Sequence, residues 1–291
     1  MSFRPRRSVL YVPGSNARAL DKARDLAADV LIFDLEDAVA PEQKEMARQA
    51  LAGALARGGY GDCEIVVRIN ALDTPWFADD LKMAAQVAPD AILAPKVDGA
   101  QDVMQLAGRM AAAGMKGIAL WVMMEQPLAV LNAQEIAQAA ARTPLAALVM
   151  GVNDLAAQTH ASLGNGRMAF IPWLMTCVAA ARAFGLAIVD GVFNDLGDAA
   201  GLAAECRQGR LLGMDGKTLI HPAQIDIANA AFSPTEDEIA RAMRIIAAFD
   251  APGAAGAGVL RVDGRMVERL HLEAARRTLA LARAMGGKDA Q

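Results

Sequence analysis

The feature that most constrains the fold is a regular alternation of short apolar runs with longer amphipathic segments along the 291 residues. Each apolar run has the length of a buried β-strand, and each segment that follows has the pattern of an alanine-rich helix. Successive runs end roughly 25 to 40 residues apart, enough for a strand, a loop and a helix per unit. Eight candidate strands result, at residues 8–12, 30–33, 64–70, 91–97, 117–125, 145–150, 187–192 and 217–220.

Eight such units predict an α/β fold of the closed (β/α)8 type, the TIM barrel. An open doubly wound sheet is the alternative. The barrel is favoured because polar side chains follow the carboxyl ends of the strands, which in a barrel meet at one mouth where catalytic sites lie. The residues concerned are Glu36, Asp37, Arg68, Asn70, Lys96, Glu125, Asn153, Asp154 and His221.

The domain organisation follows from a change in composition late in the chain. We expect the barrel to occupy residues 1–249 and a glycine- and alanine-rich hinge to occupy residues 250–258. The remaining residues, 259–291, are predicted to form a C-terminal helical lid. Such a lid closes over its own barrel or crosses to a neighbouring subunit.

Composition and spacing exclude several classes of function. The net charge is −4 with scattered Lys and Arg, so we expect no nucleic-acid partner. No apolar run approaches the roughly 18 to 20 residues of a membrane span, so we expect no membrane partner. Three dispersed cysteines and a start without an apolar leader predict a cytoplasmic protein. The dispersed histidines and the glycine spacing argue against zinc, nucleophile-elbow and nucleotide-loop chemistry.

Acidic residues at strand ends suggest a cation site. Asp34, Glu36 and Asp37 lie within four residues and repel one another unless a cation, an arginine or water compensates them. A first interpretation therefore places the cation there. Glu125 and Asp154 are better direct ligands, because each ends an apolar strand and Mg²⁺ needs only one or two carboxylates beside water and substrate oxygens. Helix capping or pairing with Lys and Arg is the alternative for these acids.

Two basic residues accompany the acids. Arg68 is placed to hold a carboxylate or to stabilise an enolate oxygen, although a structural ion pair with the acids at 34–37 is the alternative. Lys96 is conceivable as a Schiff-base lysine, but pairing with a metal-site carboxylate is favoured beside so many acids. Glu36 and Asp37 would then orient metal-bound waters and compensate Arg68 and Lys96.

Seven short segments, together with Lys44, Ala47 and Arg48, carry a resemblance to a known family: residues 7–14, 34–39, 67–70, 95–97, 125–127, 151–155 and 213–222. On these motifs the chain resembles the citrate lyase β-subunit-like group of the HpcH/HpaI aldolase superfamily, which also contains malyl-CoA and citramalyl-CoA lyases. The resemblance implies a (β/α)8 barrel in which Glu125 and Asp154 bind Mg²⁺. It further implies that Arg68 and Glu125 contact the substrate, and that the protein is a homotrimer or a larger homo-oligomer.

The resemblance is weaker in the C-terminal segment. Longer members of the family have a catalytic aspartate there, in a pattern like Gly-x-Met-Ile-Asp-x-Pro. Here the stretch is Gly264-Arg-Met-Val-Glu-Arg-Leu270, so Glu268 replaces the aspartate. One extra methylene displaces the carboxylate by about 1 Å, and a displacement on that scale costs about a hundredfold in rate.

The activity that the resemblance implies is a Mg²⁺-dependent carbon–carbon lyase. It would cleave a CoA thioester of the citramalyl-CoA, malyl-CoA or citryl-CoA type into an acetyl-CoA-type thioester and a 2-oxo acid. Arg68 would stabilise the thioester enolate, and Glu268 would handle the proton on its carbon. The alternatives are an acyl-CoA thioesterase that uses the same site, and a citrate lyase-type subunit that acts on an acyl-carrier-protein thioester.

Overall fold

The computed structural model describes residues 4–251, 254 and 257–286. These residues form two compact units. The first is Arg6–Phe232, and the second comprises the described residues beyond Phe232 together with Arg4 and Pro5. Each unit has an apolar interior of its own.

The first unit alternates strands and helices along its whole length. Its strands are β1 (Ser8–Pro13), β2 (Val30–Asp34), β3 (Glu64–Arg68), β4 (Ala91–Ala94), β5 (Ala119–Met124), β6 (Leu145–Met150), β7 (Ala187–Asp190) and β8 (Gly216–Leu219). Its helices are α1 (Ala17–Lys22), α2 (Lys44–Arg57), α3 (Phe77–Val87), α4 (Ala100–Ala112), α5 (Pro127–Leu131), α6 (Ala133–Gln138), α7 (Val152–Thr159), α8 (Gly164–Arg167), α9 (Ile171–Ala183), α10 (Ala199–Leu211) and α11 (Ile225–Phe232).

The eight strands form a closed parallel barrel in chain order. The ring closes where β1 pairs with β8, with Ser8 opposite Lys217 and Leu10 opposite Leu219. The predicted barrel is therefore confirmed, and the open-sheet alternative is wrong. Strand ends differ by a few residues from the predicted ones. For example, β4 stops at Ala94, and Lys96 beyond it has a left-handed φ of 53°.

Alternation along the strands determines which side chains reach the site. Successive side chains in a strand face opposite sides, and one alternating set forms a separate buried cluster within the ring: Val9, Val30, Ile32, Val66, Ala91, Leu93, Trp121, Met123, Ala147, Val149 and Val189. Continuing the same alternation to the carboxyl ends of β1, β2, β3 and β5 reaches Tyr11, Asp34, Arg68 and Glu125. The barrel interior thus changes from apolar to charged at its mouth.

The helices cover the outer face of the barrel. In α4, Val103, Leu106 and Met110 are buried at helical spacing while the opposite face is polar, and burying such side chains contributes about 1.5–3 kcal/mol each. The first helix is short, because α1 ends at Lys22 and a 3-10 turn follows at Ala23–Asp25.

The second unit contains α12 (Glu236–Asp250), β9 (Val259–Val262), β10 (Arg265–Glu268) and α13 (Arg269–Gly286). The two strands form an antiparallel hairpin, which the helical prediction for the C-terminal segment missed. Asp263 and Gly264 connect them with φ values of 52° and 77°. Asp-Gly favours this turn because both positions need positive φ.

Parts of the predicted hinge and lid lie outside the described residues, namely 252, 253, 255 and 256 of the hinge and 287–291 of the lid. The lid role therefore stays a prediction. Within residues 4–251, 254 and 257–286, no helix combines the length and the apolar character needed to cross a membrane.

Candidate active site

The carboxyl ends of the barrel strands surround a cavity of about 370 Å³. Its lining combines charged and apolar side chains. Its lining comprises Tyr11, Pro13, Asp34, Asp37, Ala38, Arg68, Met123, Met150, Gly151, Val152, Asn153, Asp154, Val192, Thr218 and Ile220. The mouth of a (β/α)8 barrel is where such enzymes carry their chemistry, so this cavity is the candidate active site.

Asp34, Glu36 and Asp37 form the first acidic group, and Arg68 lies among them. Its Nε and Nη2 donate to the two carboxylate oxygens of Asp34 at 2.7 and 2.6 Å, and Nη1 lies 2.8 Å from Glu36 Oε2. Asp37 is less involved, with its side chain 64% exposed and 3.7 Å from Nη1. The acids at 34–37 therefore surround an arginine, as the ion-pair alternative predicted. Glu36 Oε2 is buried and has no hydrogen-bond partner among the described residues.

Glu36 has an unusual electrostatic environment. Burial raises the pKa of its carboxyl to about 7, with Asp37, Glu125 and Asp34 adding to the rise and Arg68 opposing it. A carboxyl with this pKa changes charge at neutral pH, as a general base often does.

Lys44 holds the turn that carries Glu36. Its buried ammonium donates to the carbonyl oxygens of Leu35 and Glu36, each at 2.8 Å, and to Asn70 Oδ1 at 2.7 Å. An ammonium has three N–H donors, and each has an acceptor here. Burial lowers the pKa of Lys44, while the three acceptors and nearby carboxylates favour the charged form. From the sequence, Lys44 was noted only as part of the family motif.

Glu125, Asp154 and Lys96 form the second charged group. Glu125 is fully buried, and its Oε1 accepts the backbone N–H of Lys96 at 2.8 Å and lies 3.3 Å from Lys96 Nζ. The same ammonium donates to Asp154 Oδ1. Lys96 therefore pairs with both carboxylates, as the favoured interpretation predicted. Burial raises the pKa of Glu125, and Lys96 opposes that rise.

Gly151, between β6 and α7, permits this arrangement. A Cβ at that position would lie 2.3 Å from Glu125 Cβ and 3.0 Å from Glu125 Oε2. Any larger residue would displace the Glu125 side chain. The backbone then enters α7, whose first turn contains Asp154.

This group fits a divalent metal ion. Glu125 Oε2 is buried and has no hydrogen-bond partner among the described residues. A second carboxylate, Asp154, contacts the same Lys96 ammonium as Glu125 does. Hard oxygen donors from two carboxylates suit Mg²⁺, which usually keeps several waters and substrate oxygens in its octahedron. The described residues include no cluster of three or more His, Cys, Asp or Glu suited to a metal. Side chains of the described residues therefore do not complete the coordination of a metal ion by themselves.

The remaining predicted residue, Glu268, lies in the second unit at the end of β10. Its backbone N–H donates to His271 Nδ1 at 2.9 Å. His221, noted at a strand end, caps the following turn by accepting the N–H of Ala223 at 3.1 Å.

Sequence reasoning missed two features of the mouth. Asn153 and Asn194 exchange side-chain hydrogen bonds at 3.1 and 2.8 Å and so join the first turn of α7 to the loop that follows β7. Tyr11 lines the cavity beneath Arg68, whose guanidinium carbon lies 4.9 Å from the ring centroid. The alternation along β1 could have identified Tyr11, because it shares the inward phase of Asp34 and Arg68.

This chain has recognisable relatives among known proteins. Residues 7–222 match the family described as HpcH/HpaI aldolase/citrate lyase. A (3S)-malyl-CoA thioesterase of Cereibacter sphaeroides (strain KD131 / KCTC 12085) is 51% identical over 281 residues, which cover 97% of this chain and 96% of that protein. The citrate lyase subunit beta of Escherichia coli (strain K12) is 34% identical over 98% of this chain and 96% of its own length. The crystal structure of CitE from Mycobacterium tuberculosis in complex with magnesium, acetoacetate and coenzyme A has a TM-score of 0.75 and 32% identity, covering 97% of this chain and 98% of that chain.

Proposed function

Because this chain belongs to the HpcH/HpaI aldolase/citrate lyase family, we propose that it is a Mg²⁺-dependent enzyme that hydrolyses the CoA thioester of a short 3-hydroxy dicarboxylic acid such as (3S)-malyl-CoA. The observation that carries this proposal is that Asp154 and Arg68 line one cavity, while the buried Glu125 packs against Gly151 in the same lining. Hydrolysis of such a thioester requires two carboxylates that hold a cation and a guanidinium that stabilises the developing oxyanion.

Hydrolysis takes precedence over the carbon–carbon cleavage expected from the family resemblance for two reasons. A relative named as a thioesterase is 51% identical over nearly the whole chain, whereas the citrate lyase subunit is 34% identical. In addition, carbon–carbon cleavage needs an acid to protonate the enolate carbon. Where the family resemblance implies an aspartate for this step, the chain has Glu268, whose extra methylene displaces the carboxylate.

Each residue has a definite task in the proposed reaction. Glu125 and Asp154 would hold Mg²⁺, which when bound polarises substrate oxygens and lowers the pKa of water. Lys96 holds both carboxylates in place. Glu36, with its pKa near 7, takes a proton from the attacking water. The water oxygen then bonds to the thioester carbon, and Arg68 stabilises the negative charge that moves to the thioester oxygen. Collapse of this adduct breaks the C–S bond, and the proton held by Glu36 passes to the CoA thiolate as it leaves, which restores the Glu36 carboxylate.

The purified protein with (3S)-malyl-CoA and MgCl2 tests this proposal. We expect free CoA and malate in equal amounts, and loss of the reaction in EDTA with recovery on adding Mg²⁺. Acetyl-CoA and glyoxylate would identify the lyase instead. If none of these products forms from malyl-CoA, citramalyl-CoA or citryl-CoA, the assignment to short CoA thioesters is wrong.

The lyase is the second candidate function, supported by the similarity to citrate lyase subunit beta. In that reaction the hydroxyl of the substrate loses its proton, the carbon–carbon bond breaks to give a 2-oxo acid, and the electron pair forms a thioester enolate stabilised by Arg68. Glu268 would then protonate the enolate carbon. Turnover of an acyl-carrier-protein thioester but not of the CoA thioester would favour a subunit role.

Two further predictions concern the protein in solution. A homotrimer or larger homo-oligomer, as the family resemblance implies, should be visible by light scattering coupled to gel filtration. The cytoplasmic location likewise stays a prediction, which fractionation of the source cells would test.

A further inference from the structure

Tyr11 presents an underused hydrogen-bond donor to the cavity. Its side chain faces into the barrel from β1 and lines the cavity together with Arg68 and Met123. Among the described residues, its hydroxyl has one hydrogen-bond partner, the sulfur of Met123 at 3.5 Å. A thioether is a weak acceptor, so the O–H remains available to a better one.

The position of the ring relative to Arg68 makes that donor useful. The guanidinium lies over the ring, with its carbon 4.9 Å from the centroid. Its Nε and one N–H of Nη2 donate to Asp34, and Nη1 lies in ion-pair contact with Glu36, so not all five N–H groups of the guanidinium are committed. The stacked guanidinium and the phenol hydroxyl therefore offer donors to the same part of the cavity.

A purely structural role for Tyr11 explains these contacts less well. An apolar residue such as phenylalanine would fill the same place in the barrel and keep the stacking under Arg68. The hydroxyl adds only a weak bond to sulfur, yet its desolvation carries a cost. That cost is offset if a ligand oxygen accepts the hydrogen bond.

We propose that Tyr11 is a catalytic residue whose hydroxyl, together with Arg68, donates a hydrogen bond to the carbonyl oxygen of the bound thioester. The inference rests on the proposed function but holds for hydrolysis and for carbon–carbon cleavage. In hydrolysis the π-electron pair of the carbonyl moves to that oxygen as water adds. In cleavage the electron pair of the broken carbon–carbon bond delocalises onto the same oxygen.

The environment of Tyr11 keeps its proton in place. Burial and the neighbouring carboxylates of Asp34, Glu125 and Glu36 raise the pKa of the phenol well above its ordinary value, although Arg68 opposes them. The hydroxyl therefore donates a hydrogen bond throughout the reaction and transfers no proton. Its contribution should be greatest where the oxygen carries most negative charge, which lowers the barrier more than it tightens substrate binding.

The first experiment compares Y11F with Y60F under steady-state conditions. Y11F removes the hydroxyl and keeps the ring, and we expect a fall in kcat of about 100-fold with KM within threefold of the wild type. Y60F makes the same change at a buried tyrosine that does not line the cavity and whose hydroxyl donates to the carbonyl oxygen of Leu20 at 3.2 Å, and its kcat should stay within threefold. A kcat for Y11F within threefold of the wild type, a rise in KM alone, or an equal loss in Y60F would each overturn the proposal.

A second measurement tests the contact without turnover. The chain has two tyrosines, Tyr11 and Tyr60, so 3-fluorotyrosine incorporated into the Y60F variant labels Tyr11 alone. With MgCl2 present, acetyl-CoA should shift its ¹⁹F resonance, whereas S-ethyl-CoA, which lacks the carbonyl oxygen, should not. Identical spectra with the two compounds would refute the contact. If the wild type converts none of the thioesters, the proposed function fails, and this spectrum still decides the role of Tyr11.

Discussion

Replacing Glu36 with glutamine should make the protein more stable at alkaline pH, and the gain should disappear on acidification. Glutamine has nearly the shape of a protonated glutamate and never carries the charge. In the folded protein the pKa of Glu36 is raised from its ordinary 4.5 to about 7, with burial as the largest cause. At about 1.4 kcal/mol for each pH unit, that difference corresponds to about 3 kcal/mol.

The sign follows from which state binds the proton more tightly. Because the folded protein binds it more tightly, the stability that Glu36 contributes is fully present below pH 4.5 and is lost as the pH rises through 7. The advantage of Glu36→Gln over the wild type should therefore grow from about 1 kcal/mol at pH 5 to about 3 kcal/mol at pH 8.

Urea unfolding followed by tryptophan fluorescence at pH 5, 6, 7 and 8 measures this difference. Glu42, which is exposed in the turn before α2, provides the matched control for the same change of side chain outside the site. If the Glu36→Gln difference is flat across this range or reverses sign, the electrostatic account of the site is wrong. In the same variant, the rise of activity through neutral pH should be lost.

Four further substitutions test the remaining parts of the site. Glu125→Gln should weaken Mg²⁺ binding at least tenfold in calorimetric titrations, because it removes one anionic ligand; unchanged affinity would exclude Glu125 as a ligand. Arg68→Lys should lower kcat/KM about 100-fold with the fold intact by circular dichroism, since lysine cannot hold both Asp34 oxygens and still donate to the substrate. Lys44→Met should reduce the free energy of unfolding by about 3 kcal/mol or more, because three buried oxygens lose their donor; a smaller loss in urea titrations would contradict the contacts described. Glu268→Gln should abolish any acetyl-CoA formation while free CoA is still released, and loss of both products in the assay would give Glu268 a role in hydrolysis.

The apolar runs, together with the polar residues that follow them, were sufficient to predict the barrel. Burial of strands on both faces leaves a near-continuous apolar signal, and eight such signals at regular spacing admit few other folds. Arg68, Lys96, Glu125 and Asp154 could also be assigned to one mouth, because parallel strands direct their carboxyl ends to the same side. The hairpin of β9 and β10 was missed, since its strands are short and half exposed.

The partners of the charged residues were decided only by tertiary structure. A run of acids is compatible with a metal, an arginine or water, and the sequence order does not say which. Contacts between residues 34 positions apart, such as Asp34 with Arg68, depend on the register of β2 against β3, and this pairing gives the first acidic group to an arginine. Glu36 and Glu125 each have a buried oxygen without a hydrogen-bond partner among the described residues. The cation site is proposed at Glu125, because a second carboxylate, Asp154, lies beside it on the same lysine. The sequence by itself determined the barrel and the residues at its mouth, because hydrophobic periodicity is a local property. Tertiary structure alone decided which charge neutralises which, and that Tyr11 lies beneath Arg68, because those contacts depend on distances across the ring.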